Sequence, residues 1–137
     1  ARAVELYRAA AEQGLPRAQC CLGYCTEKGI GTEADPAAAA EWYRRSAEGG
    51  YSRGMYNYAC CFENGTGVKK DLPLAQQWYE RAAKEGLPDA MYELGVWYED
   101  GRCGPKDAAQ ALAWYKKAAE AGHDRARKAV ERMEKLV

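Results

Sequence analysis

Residues 78–86 read WYERAAKEG, and closely related strings return at a fixed interval along the chain. Each string closes at a glycine, and these glycines (Gly14, Gly50, Gly86 and Gly122) stand 36 residues apart. The same interval separates a set of small residues, a set of loop glycines and a set of aspartates: Ala18, Gly54, Ala90 and Ala126; Gly29, Gly65 and Gly101; Asp35, Asp71 and Asp107. A period of this length is typical of repeat proteins, in which each unit packs on its neighbours.

Each period carries the signals of two helices. One helix begins after an aspartate suited to N-capping and ends at a glycine that tolerates the left-handed C′ conformation, over residues 36–49, 72–85 and 108–121. Its partner has apolar residues at helical spacing, over residues 16–28, 52–64, 88–100 and 124–136. With a half-repeat at the start, the pattern predicts an all-α fold of about eight helices. We expect antiparallel helix pairs stacked into a right-handed superhelix, a solenoid.

The bulk composition allows one domain and excludes several classes of protein. The chain has 137 residues, of which 47% are hydrophobic, and its 20 basic residues balance its 20 acidic ones. We therefore expect no nucleic-acid partner, no membrane insertion and no attraction to a strongly charged surface. The expected organisation is a half repeat (1–14), three repeats (15–50, 51–86 and 87–122) and a C-terminal capping helix (123–137). Because the chain begins in mid-repeat, we expect it to be a piece of a longer protein.

Large aromatic residues and small residues alternate at matched positions of the repeat. Trp42, Trp78 and Trp114 are each followed by tyrosine, and we expect these pairs to fill the core between helices. Small residues at positions 18, 54, 90 and 126 should let neighbouring helices approach closely. These features predict packing rather than a cofactor site, and we expect no cofactor.

The third unit carries a pattern that resembles the Sel-one-like repeat, a relative of the tetratricopeptide repeat. It shows this pattern at Ala75, Trp78, Tyr79, Ala82, Ala83, Gly86, Ala90, Leu94, Gly95, Tyr98 and Gly101. The chain departs from the pattern at Thr26, Phe62 and Cys103, and at Val130-Glu131, which suggests a terminal capping helix. The resemblance covers essentially the whole chain and implies a non-catalytic scaffold or adaptor that binds a protein or peptide.

In related helix-pair solenoids the first helix of each pair lines the concave face, so its outward positions predict the binding surface. The candidate partner-binding residues at these positions are Arg17, Cys20, Tyr24, Arg53, Tyr56, Cys60, Asp89, Tyr92, Val96, Arg125, Lys128 and Arg132. The last turns of the same helices also project Glu27, Lys28, Glu63, Asn64, Glu99, Asp100, Lys135 and Leu136 outward. The three tyrosines are either binding hot spots or inter-repeat packing groups. Arg125, Lys128 and Arg132, with Lys135, form a basic stripe that either clamps a carboxylate or is simply solvated.

Six cysteines allow three interpretations: buried thiols that act as small hydrophobes, a disulfide such as Cys20 to Cys60, or a metal site that uses Cys21, Cys25 and Cys61. Cys21 and Cys25 stand one helical turn apart, too far for a relaxed bridge. No C-x-x-C pair is present, so we expect no metal. The cysteines show no clear disulfide pattern, which favours a cytoplasmic location, but the sequence does not determine the compartment.

One catalytic motif appears in the letters of the sequence. Residues 50–54 spell G-x-S-x-G, the serine motif of many hydrolases, but a helix precedes it and the equivalent turns place Pro or Asp where Ser52 stands. We therefore expect Ser52 to cap a helix and the chain to have no catalytic residues. The alternatives to a scaffold are a serine or thiol enzyme, or an architectural segment that self-associates through its repeat ends.

Overall fold

The structure of the chain is a computed structural model, which describes residues 2–135 and, for residues 2 and 3, the backbone only. This part of the chain contains eight α-helices and no strand. The helices are α1 (Arg2–Glu12), α2 (Pro16–Lys28), α3 (Pro36–Glu48), α4 (Ser52–Asn64), α5 (Leu72–Lys84), α6 (Pro88–Asp100), α7 (Ala108–Glu120) and α8 (Asp124–Glu134). Leu136 and Val137, at the predicted end of the last helix, lie outside the described residues.

The predicted capping aspartates cap the helices that follow them. Their carboxylates accept from the backbone N–H three residues later, at 3.2 Å for Asp35, 3.1 Å for Asp71 and 3.0 Å for Asp107. Each such bond satisfies one of the free amide groups of a first helical turn. Capping by these aspartates is therefore confirmed, and the helix starts at residues 36, 72 and 108 are as predicted.

The prediction that Ser52 caps α4 is wrong. The N-cap residue of α4 is Tyr51, which has an extended backbone and makes no side-chain cap bond. Ser52 is already the first helical residue, and the helix starts with the bond from the Met55 N–H to the Tyr51 carbonyl at 3.0 Å. Leu15 and Leu87 occupy the equivalent N-cap positions of α2 and α6, so these helices all begin without a side-chain cap.

The described chain divides into two compact units, with the boundary inside α5. In the first unit (Ala1–Trp78), α1 packs on α2, α2 on α3 and α3 on α4. Two buried clusters of this unit consist mainly of alanine and cysteine with one tyrosine: Val4, Ala11, Cys20, Leu22, Cys25, Ala39, Ala40, Tyr43 and Cys61. Small core residues at the helix contacts allow the helices to pack closely.

In the second unit (Tyr79–Val137), α6 packs on α7 and α7 on α8. One cluster of this unit is buried between these helices and contains Ala111, Tyr115, Ala118, Ala126, Ala129 and Met133. Trp97 is also buried, and its ring meets the ring of Tyr79 edge-on with centroids 5.6 Å apart. None of the eight helices in the described part of the chain is both long enough and apolar enough to cross a bilayer.

The two residues of each repeated Trp-Tyr pair differ in burial. Tyr43, Tyr79 and Tyr115 are each 1% exposed, which confirms their predicted place in the core. The preceding tryptophans are only half-buried, so the prediction that both residues of each pair fill the core holds in full for the tyrosines alone. Trp42 packs against one buried cluster of the first unit from its edge. The guanidinium of Arg45 lies 5.0 Å from the Trp42 ring centroid, and the ammonium of Lys117 lies 4.8 Å from the Trp114 ring centroid. These two tryptophans therefore sit at the edge of the core under basic side chains.

Candidate functional site

A cleft lies along α2 and α4 in the first unit and consists of two cavities. The larger, of about 350 Å³, is lined by Tyr7, Cys20, Cys21, Tyr24, Cys25, Tyr51, Arg53 and Asn57. The smaller, of about 190 Å³, shares Tyr24 and Asn57 with it and is also lined by Glu27, Lys28, Tyr43, Cys60, Cys61, Asn64 and Thr66. Because the two cavities share a wall, we treat them as one feature, the α2–α4 cleft.

The walls of the larger cavity combine phenol rings with one guanidinium group. Tyr24 is 50% exposed and Tyr7 is 37% exposed, so the rim of the cleft is open. Arg53 is half-buried, and its guanidinium carbon lies 5.4 Å from the ring centroid of Tyr56. This stacking draws Tyr56 to the edge of the cleft without placing it in the lining. The cavity therefore offers aromatic surface beside a positive charge.

The floor of the cleft is formed by thiols that are poor nucleophiles. Cys20 Sγ accepts a hydrogen bond from Asn57 Nδ2 at 3.3 Å. Burial raises the pKa of the Cys20 thiol to about 11, an effect that Asn57 and the charge of Arg53 oppose. Burial, with the negative charge of Glu27, raises the pKa of the Cys61 thiol to about 12. Since the thiolate is the reactive form of cysteine, neither of these thiols is activated at neutral pH.

All six cysteines lie within residues 2–135, and the structure contains each of them as a thiol. The proposed Cys20 to Cys60 bridge is therefore not formed. Among the described residues, no group of three or more His, Cys, Asp or Glu side chains has an arrangement that could hold a metal ion. Of the six cysteines, Cys21, Cys60 and Cys103 are half-buried and the other three are buried. In the cleft the thiols contribute polarisable apolar surface.

Ser46 and His123 make structural contacts rather than contacts with each other or with Ser52. Ser46 is fully buried, and its hydroxyl donates to the Pro16 carbonyl at 2.6 Å. His123 caps α8, because its Nδ1 accepts from the Ala126 N–H at 3.1 Å. Its Nε2 lies 3.2 Å from Asp89 Oδ1. Both ring nitrogens of this histidine therefore have structural partners, and Ser52 lies in a helix rather than on a strand-to-helix elbow.

In the second unit the predicted site residues of α6 are part of the packing. The ring of Tyr92 stacks on His123 with centroids 4.7 Å apart and is tilted against Tyr115 at 5.6 Å. Val96 packs against the core of this unit. Asp89 is half-buried beside His123. These contacts favour the packing interpretation for Tyr92 over the hot-spot interpretation.

The basic stripe of α8 is divided between a structural arginine and exposed side chains. Arg132 donates to both oxygens of Glu99, at 2.6 Å and 2.9 Å. The hydroxyl of Tyr115 also donates to Glu99, at 2.6 Å. Arg125 and Lys128 are exposed. Arg132 therefore already pairs with a carboxylate of its own unit, in the bidentate geometry that arginine favours.

Replacing Arg132 by alanine is expected to lower the free energy of unfolding at pH 7 by at most about 1 kcal/mol, because the ion pair is partly exposed. The hydrogen bonds from Arg132 lower the pKa of Glu99, while burial opposes this shift. A carboxyl whose pKa is lower in the folded state contributes stability above its unfolded pKa, and this stability disappears as the pH falls through the folded pKa. The wild type and Arg132→Ala should therefore converge in stability as the pH falls through the folded pKa of Glu99.

Urea denaturation followed by circular dichroism at several pH values measures this difference. The exposed Arg125 on the same helix provides the control, since Arg125→Ala should show no such pH-dependent gap. A difference between wild type and Arg132→Ala that stays constant as the pH falls would show that the Glu99 pair does not carry the effect.

The predicted site residues thus fall into two groups. The α2–α4 cleft brings together Cys20, Tyr24, Arg53 and Cys60, and Tyr56 lies beside it against Arg53. Arg17 is exposed and outside the lining. The prediction missed Tyr7, Cys21, Cys25, Tyr51 and Asn57 in the larger cavity, and Tyr43, Cys61 and Thr66 in the smaller one. A wider arc on each helix, including its sixth position, would have found Cys21 and Asn57.

The fold and the cleft define a class: a helix-pair repeat protein with an open, aromatic-walled surface and, in its described part, no assembled catalytic group. The family model of the Sel1 repeat matches residues 1–15, 16–51, 52–87 and 88–123. The chain belongs to the Sel1 repeat family, the Sel-one-like repeats. Its fold class is confirmed as an all-α solenoid of helix pairs with a period of 36 residues. Proteins of this family are generally protein-interaction scaffolds.

Solved structures of the same fold support this assignment. A Sel1 repeat protein from Oxalobacter formigenes is 37% identical with a TM-score of 0.83, and the match covers 96% of this chain and 99% of that one. A protective antigen of uropathogenic Escherichia coli strains, which displays an SLR fold, is 34% identical with a TM-score of 0.86 over 95% of this chain. This chain spans only 28% of the antigen chain.

The cysteine-rich protein B of Helicobacter pylori shares the fold at 23% identity, with a TM-score of 0.73 over 92% of this chain and 96% of that one. At this identity the likeness concerns the fold alone. A comparison with curated proteins finds none that matches.

Proposed function

We propose that this chain is a non-catalytic scaffold that binds an extended segment of a partner protein in the α2–α4 cleft. The observation that carries the proposal is the cleft itself, which is already formed and has Tyr24 and Tyr7 open at its rim. Preformed clefts bind without the entropic cost of ordering their own walls. Aromatic side chains and arginine are also the residue types that contribute most to protein interfaces.

The cleft overlaps part of the surface that the repeat pattern predicts. Four of the twelve candidate partner-binding residues line it, and they come from two successive helices of the same type, α2 and α4. An extended peptide that lies across both helices would touch side chains from each repeat. Specificity would then come from residues that differ between repeats, such as Tyr24 and Cys60, which occupy equivalent positions.

The chemistry of the cleft supports binding rather than catalysis. Its buried thiols have raised pKa values, which is the opposite of what a nucleophilic cysteine needs. Ser52 is a helical residue and Ser46 is held by a backbone carbonyl. A covalent mechanism requires a nucleophile within reach of a base. The described residues of the first unit contain no histidine to provide one.

A displayed library of random peptides provides the test. We expect peptides to be enriched on the immobilised chain, and we expect their addition to shift the backbone amide resonances of α2 and α4. Replacing Tyr24 by alanine should lower the affinity for the enriched peptides about tenfold, as expected for loss of an exposed aromatic contact. Arg125→Ala, at an exposed position of α8, is the matched control and should leave binding unchanged. Failure to enrich any peptide, or shifts confined to other helices, would contradict the proposal.

A further inference from the structure

Several neutral side chains that can donate hydrogen bonds line the larger cavity of the α2–α4 cleft. They are the hydroxyls of Tyr7, Tyr24 and Tyr51 and the side-chain amide of Asn57. Among the described residues, no group accepts a hydrogen bond from these three hydroxyls. The amide has two N–H donors, and its contact with Cys20 Sγ uses one of them. A ligand in this cavity therefore meets four groups that can each donate a hydrogen bond to it.

The backbone of the cleft walls has little to offer a bound chain. Both walls are helices, α2 (Pro16–Lys28) and α4 (Ser52–Asn64), and beyond its first turn the N–H groups of a helix are bonded within it. A strand therefore cannot add to these walls as it adds to the edge of a sheet. A helical ligand has its own backbone groups paired and would leave the donors of the cleft unused. The ligand that uses them has an extended backbone with accessible carbonyl groups.

Between these donors the larger cavity offers apolar surface. The rings of Tyr24 and Tyr51 and the sulfur atoms of Cys20 and Cys21 belong to its lining. Tyr24 is 50% exposed and Tyr51 is half-buried, so both rings can be reached from the rim. Grooves lined by aromatic rings dock the pyrrolidine rings of proline-rich segments. A volume of about 350 Å³ is enough for one such ring with the adjoining backbone.

A polyproline II segment combines the two properties that suit this cavity. It is extended, has no internal hydrogen bonds and keeps its carbonyl groups accessible. Proline has no backbone N–H, so a run of prolines brings acceptors to the cleft without donors that would need partners of their own. The free segment already has the bound conformation, so little conformational entropy is lost on binding. An extended chain of other residues lacks both advantages.

We infer, in an extension that rests on the proposed function, that the α2–α4 cleft recognises a proline-rich segment of a partner protein in the polyproline II conformation. One pyrrolidine ring packs between Tyr24 and Tyr51 above the thiols. The carbonyls on either side of this ring accept hydrogen bonds from Tyr51 and Asn57. The segment then continues past Asn57 into the smaller cavity, where Asn64 and Thr66 can donate to the next carbonyls.

Ionic pairing is not part of this recognition. Arg53 already stacks on the ring of Tyr56, and Lys28 lies 3.7 Å from Glu27 in the smaller cavity. The contacts that bind the segment are neutral hydrogen bonds and apolar packing. The affinity should therefore change little as salt is added, whereas the affinity for an acidic ligand would fall.

Three peptides of equal length, labelled with fluorescein at the N-terminus and amidated at the C-terminus, test the inference by fluorescence anisotropy. The first contains Pro-Pro-Ala-Pro-Pro between Gly/Ser flanks, and the second has alanine in place of each proline. The third has the strand-forming sequence Thr-Val-Thr-Val-Thr between the same flanks. We expect the proline peptide to bind at least about tenfold more tightly than the other two, because it alone is preorganised and brings pyrrolidine rings to the tyrosines.

Removal of single donors identifies the groups that bind the segment. Tyr51→Phe keeps the ring and Asn57→Asp keeps the shape of the side chain, but each removes donors from the cavity. Each substitution should lower the affinity for the proline peptide about fivefold, the effect of one lost hydrogen bond. Tyr58→Phe is the matched control, since it removes a hydroxyl of α4 outside the cleft lining and should bind like the wild type. Circular dichroism melting of each variant shows that the fold is retained.

Three outcomes would overturn the inference. The first is equal binding of the proline and alanine peptides by the wild type. The second is unchanged affinity for the proline peptide in both Tyr51→Phe and Asn57→Asp. The third is binding of the proline peptide that shifts amide resonances only outside α2 and α4. In each case the proposed function stands if library-selected peptides without proline still shift the α2 and α4 amides, so the two failures can be told apart.

Discussion

Replacing Gly54 by alanine is expected to destabilise the first unit by about 2 kcal/mol. A Cβ at this position of α4 would lie 2.7 Å from Ser46 Cβ and 3.1 Å from the Ala47 backbone nitrogen, and closer still to Ser46 Oγ. Ser46 is fully buried and hydrogen-bonded to the Pro16 carbonyl, so its side chain has no room to move. A change from glycine to alanine inside a helix ordinarily stabilises the folded state by about 0.5–1 kcal/mol. The steric cost of the overlap must be larger than this gain for the variant to be destabilised.

The other repeats suggest a matched control. At the positions equivalent to Ser46 and Gly54 they carry alanine pairs: Ala10 with Ala18, Ala82 with Ala90, and Ala118 with Ala126. The hydroxyl of Ser46 and the missing methyl group of Gly54 therefore compensate each other in volume. Ser46→Ala alone should cost about 1 kcal/mol through the lost hydrogen bond. The double variant should recover at least half of the loss caused by Gly54→Ala.

Urea denaturation of the four proteins gives the coupling energy between the two positions. A coupling clearly different from zero is expected for residues in contact. Additive losses would show that the Ser46 side chain is not what excludes a methyl group from position 54, and a stabilising Gly54→Ala would contradict the geometry outright.

Replacing Gly95 by alanine is expected to have the second large effect, a loss of about 2–3 kcal/mol in the second unit. A Cβ on Gly95 would lie 3.0 Å from Tyr115 Cγ and nearer still to Cδ1 and Cε1. Tyr115 is 1% exposed, and its hydroxyl is bonded to Glu99, so both ends of the ring are fixed. The helix α6 would have to move away from α7, which opens gaps elsewhere in a closely packed interior.

Two backgrounds separate this overlap from other causes. In Tyr115→Phe the ring remains and only the hydrogen bond to Glu99 is lost, so Gly95→Ala should cost as much as in the wild type. In Tyr115→Leu the flat ring is replaced by a smaller side chain, and the additional cost should fall. Gly23→Ala, whose Cβ would lie 2.8 Å from the Tyr43 ring, should be milder than Gly95→Ala. Thermal unfolding followed by circular dichroism is sufficient, and a cost that is the same in the Leu background would contradict the explanation.

These two glycines also show where prediction from the sequence succeeds and where it ends. The interval of 36 residues placed position 54 among the small residues of a helix contact. It did not show that the neighbour of Gly54 is the hydroxyl of Ser46, because that contact joins two helices. Similarly, the pattern identified the Trp-Tyr pairs but assigned both residues to the core, whereas tyrosine is buried and tryptophan lies at the edge.

The candidate site shows the same division. Tyr24, Tyr56 and Tyr92 were predicted as one row on equivalent faces. In the structure Tyr24 forms an exposed wall of the cleft, Tyr56 lies under Arg53, and Tyr92 stacks on His123. The side chains around each tyrosine differ between the repeats, and the roles of the three differ with them.

The sequence by itself determined the helices, their capping aspartates, their glycine ends and the repeat family. These features depend on side chains and backbone groups within about four residues of one another, and the regular interval makes them visible. Only the tertiary structure decided which side chains line the α2–α4 cleft and which carboxylate Arg132 pairs with, namely Glu99. It also decided that Ser46 leaves no room for a methyl group at Gly54. Those relations join residues on different helices, and their distances depend on how closely the helices pack.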